Sequence, residues 1–142
     1  MNIDPGGQDR VMDEPDPSVE VTVTEHDEQH AQLTLAGELT EGARRPLVRT
    51  MTDLLLNAPQ LRRVQVDTSA VTFMNSAGLS ALVQVLKMCQ PRAIDLALVV
   101  SGTAVTKPLQ LSGLWHRFTI IDRRPDVPPA VHEPTHRRTE HS

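Results

Sequence analysis

The stretch Asn75-Ser76-Ala77-Gly78-Leu79 places an amide oxygen, a hydroxyl and a glycine directly ahead of an apolar helical pattern. Asn and Ser are both favoured at helix starts, because a side-chain oxygen accepts a hydrogen bond from an otherwise unpaired amide of the first turn. The amides left over in that turn carry partial positive charge, which favours an anion or a phosphate beside the hydroxyl. Gly78 is expected to keep the surface bare, so that a partner or a phosphate can approach the backbone, with Phe73 and Met74 anchoring the preceding loop from below. The chemistry this spacing allows is binding at, or modification of, Ser76.

The other reactive residues form no catalytic set. A serine hydrolase needs a base beside its nucleophile and a third group to orient that base. Here His132, His136 and His141 lie far along the C-terminal stretch, His26 and His30 flank a connection between strands, and His116 follows Trp115 in a short turn. The first glycine of a Gly-x-Ser-x-Gly elbow is also missing before Ser76. The run His26-Asp27-Glu28-Gln29-His30 resembles a zinc motif only superficially, since both imidazoles must share a helix face and this run reads as a polar turn. Neither a phosphate-cradling Gly-x-x-x-x-Gly-Lys loop nor a Gly-x-Gly-x-x-Gly fingerprint occurs. No catalytic, metal-binding or cofactor-binding residue is assigned.

Composition narrows the partners. The 142 residues carry a formal net charge of −4, and Lys and Arg form no long stripe, so a nucleic-acid partner is not expected. The chain shows no basic-then-apolar leader and no run of the ~18 to 20 apolar residues that cross a bilayer, and a cytoplasmic protein without membrane insertion is expected. The single cysteine, Cys89, falls in an apolar helical pattern and reads as a buried thiol in a reducing compartment. Aromatics are 2% of the chain, namely Phe73, Trp115 and Phe118, so the core must be aliphatic, with Trp115 plugging one end beside Leu114 and Phe118.

The elements that position Ser76 follow from periodicity. Residues 1 to 18 hold five acids, one arginine and three prolines without an apolar pattern, and are expected to form a disordered acidic arm. Residues 123 to 142, rich in Pro, Arg and His, read as a second disordered tail, leaving one domain at 19 to 122. Apolar and polar residues alternate over 19–24 and 31–36, which predicts an antiparallel hairpin. Leu47, Met51, Leu54 and Leu55 predict a helix from Glu41 to about Asn57. A short strand over 63–67 precedes a loop around Ser69, and Leu79, Leu82, Val83 and Leu86 predict a helix from about Ser76 to just before Pro91. A buried strand at 94–100, a short helix at 103–111 and a strand at 118–121 complete the order. The fold class is α/β: a mixed, mostly parallel sheet of about five strands packed with three to four helices, joined by right-handed crossovers.

The run Asp67-Thr-Ser69-Ala-Val71-Thr-Phe73-Met74-Asn75-Ser76-Ala77-Gly78-Leu79 resembles the STAS domains, in particular the bacterial anti-sigma factor antagonists. Leu35-Ala-Gly37-Glu38-Leu39-Thr40 is similar to the family's Gly-Glu-Leu-Asp, and Leu111-Ser112-Gly113-Leu114 with Phe118 to its Ser-Gly-Leu before the last strand. The resemblance covers the whole expected domain. It implies a non-enzymatic regulator in partner switching and stress response, which binds an anti-sigma factor that is also a serine kinase and thereby frees a sigma factor. Ser76 takes the phosphoacceptor position, and Thr40, Asn75, Ser76, Ala77, Gly78 and Leu79 take the partner-binding positions. A monomer or weak dimer is expected. Two family carboxylates are replaced, by Asn75 and Thr40, and Ala77 replaces a second hydroxyl. The alternative within the same resemblance is a STAS subunit of a transporter or stress-signalling assembly, binding through the same face without a phosphate.

Overall fold

The computed structural model describes residues 18–124 and 130–134. Strands β1 (Val19–His26) and β2 (His30–Leu39) form the antiparallel hairpin, with Asp27 closing the turn by accepting from the amides of Gln29 and His30 at 2.8 Å each. Those amides, and the imidazole of His30 beyond them, hold the Asp27 carboxyl below its usual range. A 3-10 turn at Glu41–Ala43 leads into helix α1 (Arg44–Asn57). Strand β3 (Arg63–Met74), helix α2 (Ser76–Cys89), strand β4 (Asp95–Val100), helix α3 (Thr103–Ser112) and strand β5 (Thr119–Asp122) follow.

With a sixth strand, β6 (Ala130–His132), all strands lie in one sheet of order β1-β2-β3-β4-β5-β6, so each strand pairs with its successor in sequence. Strands β2 to β5 run parallel and the two outer pairs are antiparallel. Leu33, Val66, Leu98 and Ile120 stand level across the four parallel strands and share one buried cluster with Leu47 and Met51 of α1, Leu82 and Val85 of α2, and Leu109 of α3. Their alternate neighbours Gln32, Gln65, Ala97 and Thr119 form a level row outside that cluster. The pattern follows from the strand period of two and from right-handed crossovers that advance one strand at a time, which bring successive helices to the same face. The core is aliphatic as expected, with Phe118 its only fully buried aromatic among the described residues. Trp115 is half-buried and packs against the edge of the core.

Two expectations are corrected. Strand β3 does not stop at Asp67 before a loop: it continues through Ser69 to Met74, twelve residues in all. The continuation was hidden by bulges. Register shifts opposite Thr34–Ala36 and Gly37–Glu38 break the alternation of buried and exposed positions, and Asp67 Oδ1 accepts from the Ser69 amide at 2.9 Å to hold the first one. The stretch read as a C-terminal tail also holds a sixth strand, β6 (Ala130–His132), antiparallel to β5. Three residues are too few to show an alternation. Their placement is supported by the His132 ring, 6.1 Å from the ring of Trp115, over which the guanidinium of Arg124 also lies at 5.9 Å. The residues 1–17 and most of 123–142 assigned to arms lie outside the described residues.

Candidate partner-binding site

Parallel strands β2 and β3 end side by side, with Leu39 level with Met74. From that edge the chain turns into helical structure twice, at Glu41 after β2 and at Ser76 after β3, and a third helix begins at Thr103 just beyond the end of β4. The carboxyl edge of parallel strands is where open α/β sheets bind ligands, and helix starts add unpaired amides and positive dipole ends.

Asn75 is the residue that caps α2. Its backbone is extended, its Oδ1 accepts from the Gly78 amide at 3.0 Å, and its carbonyl accepts from Leu79 at 3.0 Å. Its own amide donates to the carbonyl of Leu39 at 3.2 Å, which ties the helix start to the end of β2. Because Asn75 takes the cap, Ser76 becomes the first helical residue. Its side chain is exposed, and its hydroxyl makes no hydrogen bond among the described residues. Ala77 and Leu79 are half-buried beside it, and Thr40 is half-buried at the start of the 3-10 turn, where its carbonyl accepts from Ala43 at 3.0 Å. Thr40, Asn75, Ser76, Ala77 and Leu79 therefore gather at one edge.

Gly78 differs from expectation. It is buried, and a Cβ built on it would stand 2.0 Å from the Leu39 carbonyl oxygen and 2.5 Å from its carbon. Glycine is required for close packing of α2 on β2, not for a bare surface, so a partner cannot reach it directly. Phe73 also departs from the expected anchor role: Met74 is buried beneath the edge, but Phe73 is 50% exposed. The bulge at Thr72, whose hydroxyl donates to the Gly37 carbonyl at 3.3 Å, turns Phe73 outward. The outward turn is concealed in the sequence because Val71, Phe73 and Met74 resemble one apolar run, although two apolar residues in a row mark a break in alternation.

No described group of three or more His, Cys, Asp and Glu side chains could hold a metal, and the His26–His30 segment is the hairpin turn expected from its composition. Burial pushes the Cys89 thiol up to about 12, which leaves it protonated. No helix among the described residues is long and apolar enough to cross a membrane.

The family model for the STAS domain matches residues 21–127, and the chain belongs to the STAS domain family. Its fold is similar to that of an anti-sigma factor antagonist from Mycobacterium paratuberculosis, at TM-score 0.61 and 23% identity over 78% of this chain and 88% of the other. It is also similar to the anti-sigma factor antagonist SpoIIAA in its unphosphorylated form, at TM-score 0.60 and 19% identity over 75% of this chain and 90% of that one. No curated protein matches in sequence. At these identities the structural likeness establishes a shared mixed α/β sheet.

Proposed function

We propose that the protein is an anti-sigma factor antagonist: it binds an anti-sigma factor that is a serine kinase, frees the sigma factor, and is switched off by phosphorylation of Ser76. The observation that carries this reading is the division of labour at the start of α2, where Asn75 supplies the cap and leaves the Ser76 hydroxyl exposed. A serine needed as a cap would have its oxygen engaged by the first turn. Membership of the STAS family, and the antagonists among proteins of the same fold, support the choice of partner.

The physics of the switch is local. A phosphate on Ser76 adds about −1.5 to −2 charge at pH 7, which the unpaired amides of α2 accommodate. A partner surface built around a neutral hydroxyl must instead desolvate that charge. A loss of about 2.7 kcal/mol lowers affinity roughly 100-fold. The partner surface comprises Thr40, Asn75, Ser76, Ala77 and Leu79, while Gly78 sets the spacing from beneath.

The test is a pull-down from the native cell using wild type, Ser76→Ala and Ser76→Asp, with phosphate on the bait located by mass spectrometry. Wild type and Ser76→Ala are expected to retain a kinase-type anti-sigma factor and Ser76→Asp to lose it, with phosphate on Ser76 of wild type only. Retention of the same partner by all three, with no phosphate on wild type, overturns the switch. That outcome favours the second reading, a STAS interaction subunit that binds without phosphate, which rests on Asn75 and Thr40 standing where the family carries carboxylates.

A further inference from the structure

The exposed side of α1 carries a basic groove beside the Ser76 edge. Glu41, Arg44, Arg45, Val48 and Arg49 line it together with Gln84 of α2, around a shallow volume of about 540 Å³. All three arginines are exposed, and Arg44 and Arg49 make no ion pair among the described residues. Their placement runs against helix electrostatics. The first turn of α1 holds two arginines and no acid, and the 3-10 turn that leads into it adds only Glu41, so positive charge predominates at a helix end whose dipole favours anions. The buried residues of α1 are Leu47, Met51 and Leu54, on the other side of the helix. An acidic occupant would reverse the local cost.

The chain carries such an occupant itself. Residues 1–17 include Asp4, Asp9, Asp13, Glu14 and Asp16 against the single Arg10. They enter the fold at the right end of the sheet: the carbonyl of Ser18 accepts from the Glu38 amide at 2.7 Å, one residue before β2 ends. Arg44 follows Glu38 by six residues (44 − 38), so their backbones are within about 22 Å. Seventeen residues span roughly 20 Å as a coil and about 55 Å when extended. We propose that the acidic segment 1–17 docks in the Arg44–Arg45–Arg49 groove of its own chain, beside the Ser76 edge. The contact is electrostatic and is independent of the partner-switch reading, because it requires neither a kinase nor a phosphate.

The experiment uses the full chain with a nitroxide attached at Gln8→Cys, the native Cys89 being fully buried and closed to labelling. At ~0.01 M salt, where screening extends over about 30 Å, the amide signals of residues 44–49 and 84 are expected to be lost selectively. They are expected to return at ~1 M salt, where screening extends over about 3 Å. They should also return in the labelled chain with Asp4→Asn, Asp9→Asn, Asp13→Asn, Glu14→Gln and Asp16→Asn, which leaves the folded domain untouched. The complementary variant is Arg44→Gln/Arg45→Gln/Arg49→Gln. Uniform broadening, broadening elsewhere, or selective loss that survives neutralisation of the acids overturns the proposal. So does selective loss transferred from a spin-labelled chain to a separate isotope-labelled chain, because the occupant is then a second copy.

Discussion

Leu39 and Gly78 meet where β2 ends and α2 begins, so closely that the Leu39 carbonyl occupies the space a side chain on residue 78 would need. Backbone on both sides leaves no soft atom to yield. Gly78→Ala is expected to cost about 3 kcal/mol, the upper part of the usual overpacking range, and to lower the thermal midpoint by roughly 10 °C. Calorimetry of the two chains checks this. A neutral result means that α2 can slide along the sheet without losing its packing.

The cap gives a graded series at one position. Asn75→Ala removes the acceptor for the Gly78 amide and is expected to destabilise by about 1 kcal/mol. Asn75→Asp keeps an acceptor and adds a charge that the helix dipole favours, for a gain of about 0.5 kcal/mol. Denaturant unfolding at low salt ranks the three chains Asp, Asn, Ala. If Ser76 is the phosphoacceptor, Asn75→Asp also restores the family's carboxylate and raises the rate of phosphate incorporation.

Phe73 and Phe118 contrast an exposed with a buried ring. Phe118 is fully buried and its replacement by Ala is expected to cost about 3–5 kcal/mol. Phe73 is half exposed, and Phe73→Ala is expected to cost less than about 1.5 kcal/mol in the same urea titration. Equal losses would place Phe73 in the core after all.

Asp122 lies 1% exposed against Arg124, which donates from Nε to Oδ1 at 2.9 Å and from Nη2 to Oδ2 at 2.6 Å. The guanidinium holds the carboxyl below its ordinary 3.8, against the opposing effect of burial. A carboxyl depressed in the folded state stabilises it above the unfolded value and loses that contribution as pH falls through the folded value. Asp122→Asn is therefore expected to cost about 2 kcal/mol at pH 7. The gap to wild type should narrow below about pH 4, as measured by urea unfolding across pH. A gap independent of pH excludes the ion pair as its source.

Cys89 supplies the opposite sign. Its folded thiol is raised from 9.0 to about 12, so the unfolded chain ionises first as pH rises. Stability contributed by the neutral buried thiol is full below about pH 9 and declines above it. Cys89→Ala is expected to abolish that part of the alkaline decline. A thiol reagent at pH 8 should react with wild type only after denaturant is added.

How much of this was legible in the sequence depends on which period was locally intact. The hairpin and the helix starts were readable because Val19–Thr24, Ala31–Ala36 and the Leu79–Leu86 spacing keep one period throughout. The full length of strand β3 is not legible in the sequence because its bulges insert residues that belong to neither face. The outward turn of Phe73 came from one of the same bulges. Asn75 and Ser76 were equally good caps by residue type, and only the fold decides between them. The reason for Gly78 depends on Leu39, which is remote in sequence, so its neighbours in the chain do not reveal that the glycine is buried.

The monotonic strand order also has a temporal consequence. Every residue that shapes the Ser76 edge, from Leu39 through Met74 and Asn75 to Gly78, has been synthesised by the time Cys89 is added. Strands β4 to β6 then join one flank of the growing sheet in the order in which they are made, with no later strand inserting between earlier ones. A nascent chain can therefore pair β2 with β3 before its last strands are made, and the rest of translation only adds to what it has begun.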